Sequence, residues 1–318
     1  MTFAGSPDRI EAQLVPEAGY ELDTFRIAGL PRRPSPALAR ALLLAGRAPR
    51  ACARILAARQ PDVVLGGGYV AGPMVYAASR RRIPAALMEA DAHLGLANRL
   101  AVPFARRVFL SFPIEGRNAP KYRVTGRPIP ARSRPLPRAE ARKLFGLPEA
   151  GPVLLVFGGS LGARILNELA LEAFAAAGPA VLHLCGTRDY DELRPRIMRP
   201  DYRLFAFTED FGAALGASDL ALARAGGSVW ELAAAGKPAV FVPGLFATGD
   251  HQTKNARFFE RGGGAVVVPE GEVGRAPELI RSLLDDPRRL AQMSSAMFRL
   301  ARPDAADEIA EELIALAA

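Results

Sequence analysis

The sequence predicts an α/β protein of two doubly wound, Rossmann-like domains, and three observations carry that expectation. Short apolar runs alternate with helical patterns along nearly all of the 318 residues, as parallel strands joined by crossover helices do. Two of those runs break directly into glycine-rich turns, Gly66-Gly-Gly-Tyr69 and Gly158-Gly-Ser160-Leu-Gly162, where a strand hands over to a helix in a βα unit. Half of the residues are hydrophobic, and a chain of this length can build two cores.

Taken in order, residues 63–65 form a short strand entering the first glycine turn, and a helix begins at Val70. Further strands are expected at 85–89, 107–110, 154–157, 180–185, 204–207, 220–223, 239–242 and 265–268, most followed by helical patterns. Residues 128–137 carry four prolines, too many for a helix or a central strand, and read as the linker. The domains are therefore expected at 1–134 and 135–303, with an amphipathic helix at about 304–318 packing back onto the first.

The balance of 41 Lys and Arg against 33 Asp and Glu gives a net charge of +8, which favours an anionic partner: a nucleotide, a lipid surface or nucleic acid. Aromatic residues are few and not interleaved with Arg or Lys, which argues against nucleic acid. Cys52 and Cys185 alone make neither a disulfide framework nor a metal-ligand pattern, and they fit a reducing compartment such as the cytoplasm. No apolar run is long enough for a membrane span and the N-terminus lacks a signal-peptide pattern, so a soluble or peripheral protein is expected. Neither glycine turn has the Gly-x-Gly-x-x-Gly spacing of a nicotinamide site.

The second glycine turn is the most informative stretch. A strand, a tight turn and a helix start bring free backbone N–H groups and the positive end of a helix dipole together, so Gly158, Gly159 and Ser160 read as a pyrophosphate cradle. The plainer reading makes Ser160 only a helix N-cap. Further on, Arg224-Ala-Gly226-Gly227-Ser228 is a strand end and glycine loop, and Glu231 falls in the first turn of the next helix. There a carboxylate either complements the dipole or accepts hydrogen bonds from a ribose diol. His251, Gln252 and Asn255 offer groups suited to sugar hydroxyls, although a loop histidine is equally well a solvated one.

The order of these motifs resembles the MurG family, which adds N-acetylglucosamine to a lipid-linked muramoyl-pentapeptide in peptidoglycan synthesis. The matching stretches are Gly66-Gly-Gly-Tyr-Val-Ala-Gly-Pro73, Gly95-Leu-Ala-Asn98, Val124-Thr-Gly126, Gly158-Gly-Ser-Leu-Gly-Ala-Arg164, Arg224-Ala-Gly226, Glu231-Leu-Ala-Ala-Ala-Gly-Lys-Pro238 and His251-Gln-x-x-Asn255. The resemblance implies a GT-B glycosyltransferase, two Rossmann-like domains facing across a cleft, with UDP-N-acetylglucosamine held by the second and the lipid acceptor by the first. It further implies that Ser160 meets the diphosphate, the backbone around Thr208 pairs with uracil, Gly226, Gly227 and Ser228 line the nucleotide, Glu231 takes the ribose, and His251 and Gln252 take the sugar. No cofactor and no metal are implied.

Departures from the family pattern carry expectations of their own. Family members begin with a strand and a Gly-Gly-Thr-Gly-Gly-His loop ahead of the segment matched here by 11–20, so the first strand and helix of the N-terminal domain, roughly 20 to 30 residues, are expected to be missing. The family's His-Glu-Gln-Asn stands here as Met88-Glu89-Ala90-Asp91, and its Asn-Pro-x-Arg after Val124-Thr-Gly126 stands as Arg127-Pro-Ile-Pro130, leaving Arg127 or Arg132 to replace the lost arginine. The loop from Arg224 to Glu231 is one residue shorter. Candidates for the general base are Glu89, Asp91 and His93. Residues 29–56 set leucines among arginines with no acidic residue, which suits an anionic membrane surface or, equally, a helix with core leucines and solvated arginines. Pro36 and Pro49 are expected to keep its helices short. Against a peripheral transferase at the cytoplasmic side of the cell membrane stand a non-catalytic or split-partner UDP-sugar binder, and a UDP-sugar epimerase of the same fold.

Overall fold

The computed structural model describes residues 1–29, 35–159, 161–244 and 250–318. The chain forms two compact units, 1–125 with 306–318, and 126–305.

In the first unit, strands β1 (Phe3–Gly5) and β2 (Leu22–Thr24) pair in parallel as a separate two-stranded sheet. Neither carries enough alternating apolar residues to be expected from sequence. The main sheet of this unit is parallel, in the order β3 (Val64–Gly67), β4 (Ala85–Glu89), β5 (Arg107–Leu110), β6 (Tyr122–Val124). Alternation along β4 sends Ala85 and Leu87 to a core shared with Cys52, Leu56, Val75 and Ala78, while Ala86 turns to the other face and meets Phe109 and Ile309 of the C-terminal helix Ala305–Ala317. Arg107 and Arg123 both pair with Glu312 of that helix, at 3.0 and 2.8 Å.

The helix Pro36–Arg59 corrects the expectation of short pieces, for it runs 24 residues straight through Pro49. Pro36 occupies the first turn, where its missing N–H costs nothing, behind an N-cap by Ser35. Pro49 removes one hydrogen bond, and the burial of Ala41, Ala48, Cys52 and Leu56 on one stripe outweighs it. Leu42 and Leu43 stay exposed beside exposed Arg40, Arg47, Arg50 and Arg54; Arg32 and Arg33 lie outside the described residues.

The second unit holds a six-stranded parallel sheet in the order β12 (Ala265–Val267), β11 (Ala239–Phe241), β10 (Leu220–Ala223), β7 (Val153–Phe157), β8 (Ala180–Leu184), β9 (Tyr202–Phe205). The chain starts in the middle at β7, works outward to β9, then returns to β10 and works outward the other way. The order reverses between β7 and β10, the position at which doubly wound sheets open a crevice beyond the strand ends. Strands β7, β8 and β10 are fully buried, hence their apolar runs, interrupted only by His183 in β8. Strand β9 begins two residues earlier than expected, because Tyr202 pairs in register with Val181 and reaches His183.

The proline-rich segment expected as a linker folds with the second unit. Its backbone, extended at Pro130 and Arg134 on either side of a short turn, lies on the helix Phe211–Ala217, where side chains on Gly212 and Gly216 would run into the carbonyls of Arg134 and Leu136. Ser133, in the turn Ala131–Ser133, is buried. Proline suits this role: it holds the chain extended and leaves no N–H to satisfy against the helix.

Candidate functional site

In the second unit the expected ligand corner forms at the ends of β7 and β10. After β7, Gly158 packs so closely on Ala163 that a Cβ would collide with its backbone, and Gly162, at φ +75°, lies directly against the Cys185 carbonyl. The Gly162 N–H donates to the Gly159 carbonyl at 2.9 Å, closing the turn. Gly159, at φ +98°, faces open space. Its neighbour Ser160, the expected diphosphate contact, lies outside the described residues. The helix Arg164–Phe174 follows, giving the turn the positive end of a dipole.

A buried polar chain beneath this turn was not anticipated. Asn167 donates to the Cys185 carbonyl and to Asp189, both at 2.9 Å, and its own oxygen accepts from His183 Nε2 at 3.0 Å. His183 Nδ1 in turn accepts from the Tyr202 hydroxyl at 2.8 Å, and Arg188 pairs with Asp189. These bonds tie the helix after β7 to the loop after β8, fixing both walls of the corner. Burial keeps the imidazole neutral and pushes the His183 pKa down from 6.5 to about 3. The unfolded chain therefore takes up this proton first, so the associated stability is present in full above about pH 6.5 and is lost as pH falls toward 3. Between about pH 7 and about pH 4 the loss is expected to reach about 3 kcal/mol. Urea unfolding of wild type and H183Q at the two values checks this: the variant should lack that part of the slope.

On the other side of the switch point a loop follows β10, with Ala225 buried and residues 226–228 half-buried. Among the described residues Gly226 has no neighbour where a Cβ would project, whereas the Arg127 guanidinium lies against Gly227. Of Arg127 and Arg132, Arg127 is thus the one at this glycine loop, while Arg132 is exposed. Ser228 makes no side-chain cap to its helix Val229–Ala234. Glu231, half-buried in the first turn, accepts at Oε1 from Ser133 Oγ at 2.5 Å. Arg224 ties the strand end down by donating to the Val242 carbonyl at 2.9 Å and pairing with Glu270. Gln252, in the helix His251–Arg261, accepts from the Gly244 N–H at 2.9 Å, which turns its amide nitrogen away from that contact; His251 precedes it, half-buried. Asn255 is buried and donates to the Ala225 carbonyl at 3.2 Å, so it braces the loop. Thr208 lies just past β9, its hydroxyl accepting from the Asp210 N–H at 3.1 Å. Because β9 and β7 are separated by one strand, Thr208 stands roughly 10 Å along the sheet edge from the glycine turn.

In the first unit, Glu89, Asp91 and His93 occur at the end of β4 and in the loop after it. Glu89 is buried and accepts from the Gly95 N–H at 2.9 Å, Asn98 Nδ2 at 2.8 Å and the Asp91 N–H at 3.3 Å. Three donors engage both its oxygens, so it organises the loop rather than facing outward as a base. Asp91 and His93 are half-buried.

Comparison with known proteins agrees with this geometry. Residues 2–110 match the glycosyltransferase family 28 N-terminal domain and residues 153–309 match the family 28 C-terminal domain. The chain is 41% identical over its full length to the UDP-N-acetylglucosamine–N-acetylmuramyl-(pentapeptide) pyrophosphoryl-undecaprenol N-acetylglucosamine transferase of Salinibacter ruber, covering 88% of that protein. The chain belongs to the MurG family of glycosyltransferases. The crystal structure of Acinetobacter baumannii MurG superimposes with a TM-score of 0.76 at 26% identity, over 98% of this chain and 90% of that one, and the GT-B fold class of the MurG family is thereby shown. The UDP-GlcNAc 2-epimerase of Neisseria meningitidis shares the fold at a TM-score of 0.61 and 16% identity, over 98% of each chain. Among the described residues no helix is long and apolar enough to cross a membrane.

Proposed function

We propose that this chain transfers N-acetylglucosamine from UDP-N-acetylglucosamine to a lipid-linked muramoyl-pentapeptide, inverting the anomeric centre. The observation that carries the reading is the backbone-rich corner between β7 and β10, where two glycine turns and a helix start converge at the switch point of the sheet. Gly158, Gly159 and Ser160 take the diphosphate, Gly226, Gly227 and Ser228 line the nucleotide, and the backbone at Thr208 pairs with uracil. Glu231 accepts from the ribose, His251 and Gln252 reach the sugar, and Arg127 adds positive charge beside the nucleotide loop.

In the reaction the acceptor oxygen attacks the anomeric carbon from the side opposite the leaving group. The bond from that carbon to the diphosphate oxygen breaks and its electron pair stays on UDP. Backbone N–H groups and the helix dipole at Gly158–Ala163 stabilise the charge that develops there. The acceptor proton passes to a base on the loop after β4; Asp91 and His93 are the candidates, since Glu89 is committed to its three donors. The enzyme works as a peripheral protein at the cytoplasmic side of the membrane, with exposed Leu42 and Leu43 entering the lipid between arginines that meet its anionic headgroups.

Glu231→Ala is expected to weaken UDP binding by about 1 to 3 kcal/mol with the fold intact, read by calorimetric titration; an unchanged affinity removes the ribose role. The activity itself is tested by incubating the chain with UDP-N-acetylglucosamine and a lipid-linked muramoyl-pentapeptide. Sugar should appear on the lipid. Release or isomerisation of the sugar in the absence of lipid, with no transfer in its presence, would favour an epimerase instead.

A further inference from the structure

Just past Arg127-Pro-Ile-Pro130, where this chain departs from the family pattern, a buried hydroxyl is aimed at the residue read as the ribose acceptor. Ser133 is only 4% exposed, and its Oγ donates to Glu231 Oε1 at 2.5 Å. Its position is over-determined from behind. The Ser133 N–H donates to the Pro130 carbonyl at 2.9 Å, and the carbonyls of Arg132 and Arg134 on either side sit on Gly212, where any side chain would push them away. The tight turn Ala131–Ser133, flanked by extended Pro130 and Arg134, holds the strap on the helix Phe211–Ala217.

A carboxylate in the first turn of a helix, half open to solvent, would ordinarily sample several rotamers and lose entropy on meeting a ligand. With Oε1 pinned by Ser133, the second oxygen is presented in one direction before any ligand arrives. We propose that Ser133 is a positioning residue for Glu231, which it pre-organises to accept from the hydroxyls of a ribose, and that the proline strap thereby sets the preference of the site for ribonucleotides over deoxyribonucleotides. This rests on the reading of Glu231 as the ribose acceptor.

The test compares binding of UDP and 2′,3′-dideoxy-UDP by calorimetry for wild type, S133A, S133T and E231A. Wild type should prefer UDP. S133A should lose roughly tenfold in affinity for UDP and little for the dideoxy analogue, and S133T, which restores the donor, should recover the preference. A purely structural role for Ser133 would weaken both nucleotides alike. Should S133A unfold, S133C keeps the volume with a weaker donor and must show the same selective loss. Retention of the full ribose preference in the Ser133 variants, with its collapse in E231A, overturns the positioning role and leaves the ribose role standing; retention in E231A as well overturns both.

Discussion

Gly162→Ala is expected to destabilise the protein by about 3 kcal/mol or more, measured as the shift in its urea-unfolding midpoint. Two costs add. At φ +75° the backbone lies in the left-handed region, which alanine occupies with a penalty of about 1 kcal/mol or more. The new Cβ would also overlap the carbonyl of Cys185, which belongs to a central strand's end and cannot retreat without breaking the sheet register. Gly159→Ala provides the control. Its φ of +98° exacts the backbone penalty alone, since no atom lies within reach of the added methyl. On the proposed diphosphate reading the methyl would enter the space a phosphate takes, so G159A should keep most of its stability and lose UDP affinity. Equal unfolding midpoints for the two variants would contradict the packing described for the corner.

The second large effect is expected at Asn167. Its amide serves three partners at once, so Asn167→Ala leaves His183 Nε2, the Cys185 carbonyl and one oxygen of Asp189 short of a bond inside the protein. Each unsatisfied buried group costs about 1 to 3 kcal/mol, and a total of about 3 to 5 kcal/mol is expected from denaturant unfolding, allowing for non-additivity within one network. Asn167→Asp keeps the shape but sets a second carboxylate against Asp189 and the carbonyl, and should be no better tolerated. A loss below about 1 kcal/mol in both variants would show that the network does not hold the corner.

Much of the second unit was legible because its central strands are buried on both faces and read as continuous apolar runs that end on glycine. Gly158 and Gly162 marked the turn after β7 for a related reason: their backbones pass where a side chain cannot, while Gly159 is needed for its positive φ. The illegible parts are held by long-range contacts. Phe3–Gly5 and Leu22–Thr24 are three residues each and are ordered by pairing with one another, with Ala4 packed against the first unit's core and Asp23 paired with Arg59. Pro49 reads as a helix breaker, and the buried stripe of Ala48, Cys52 and Leu56 in the first unit's core overrides it. Residues 128–137 have linker composition, yet their seat is created by two glycines some eighty residues on. Ser133 had no periodicity or motif to mark it, and Glu89 offered no sign that its oxygens would be consumed by Gly95 and Asn98.

The central claim is that the turn from Gly158 to Ala163 is the diphosphate seat of a sugar-nucleotide site. Calorimetric titration of the intact chain with UDP, run on wild type and on G159A under identical conditions, tests it most directly. Wild type is expected to bind UDP saturably and G159A to lose roughly tenfold or more in affinity, with the variant's unfolding midpoint showing it still folded. Equal UDP affinity in the two proteins, or none in wild type, would contradict it.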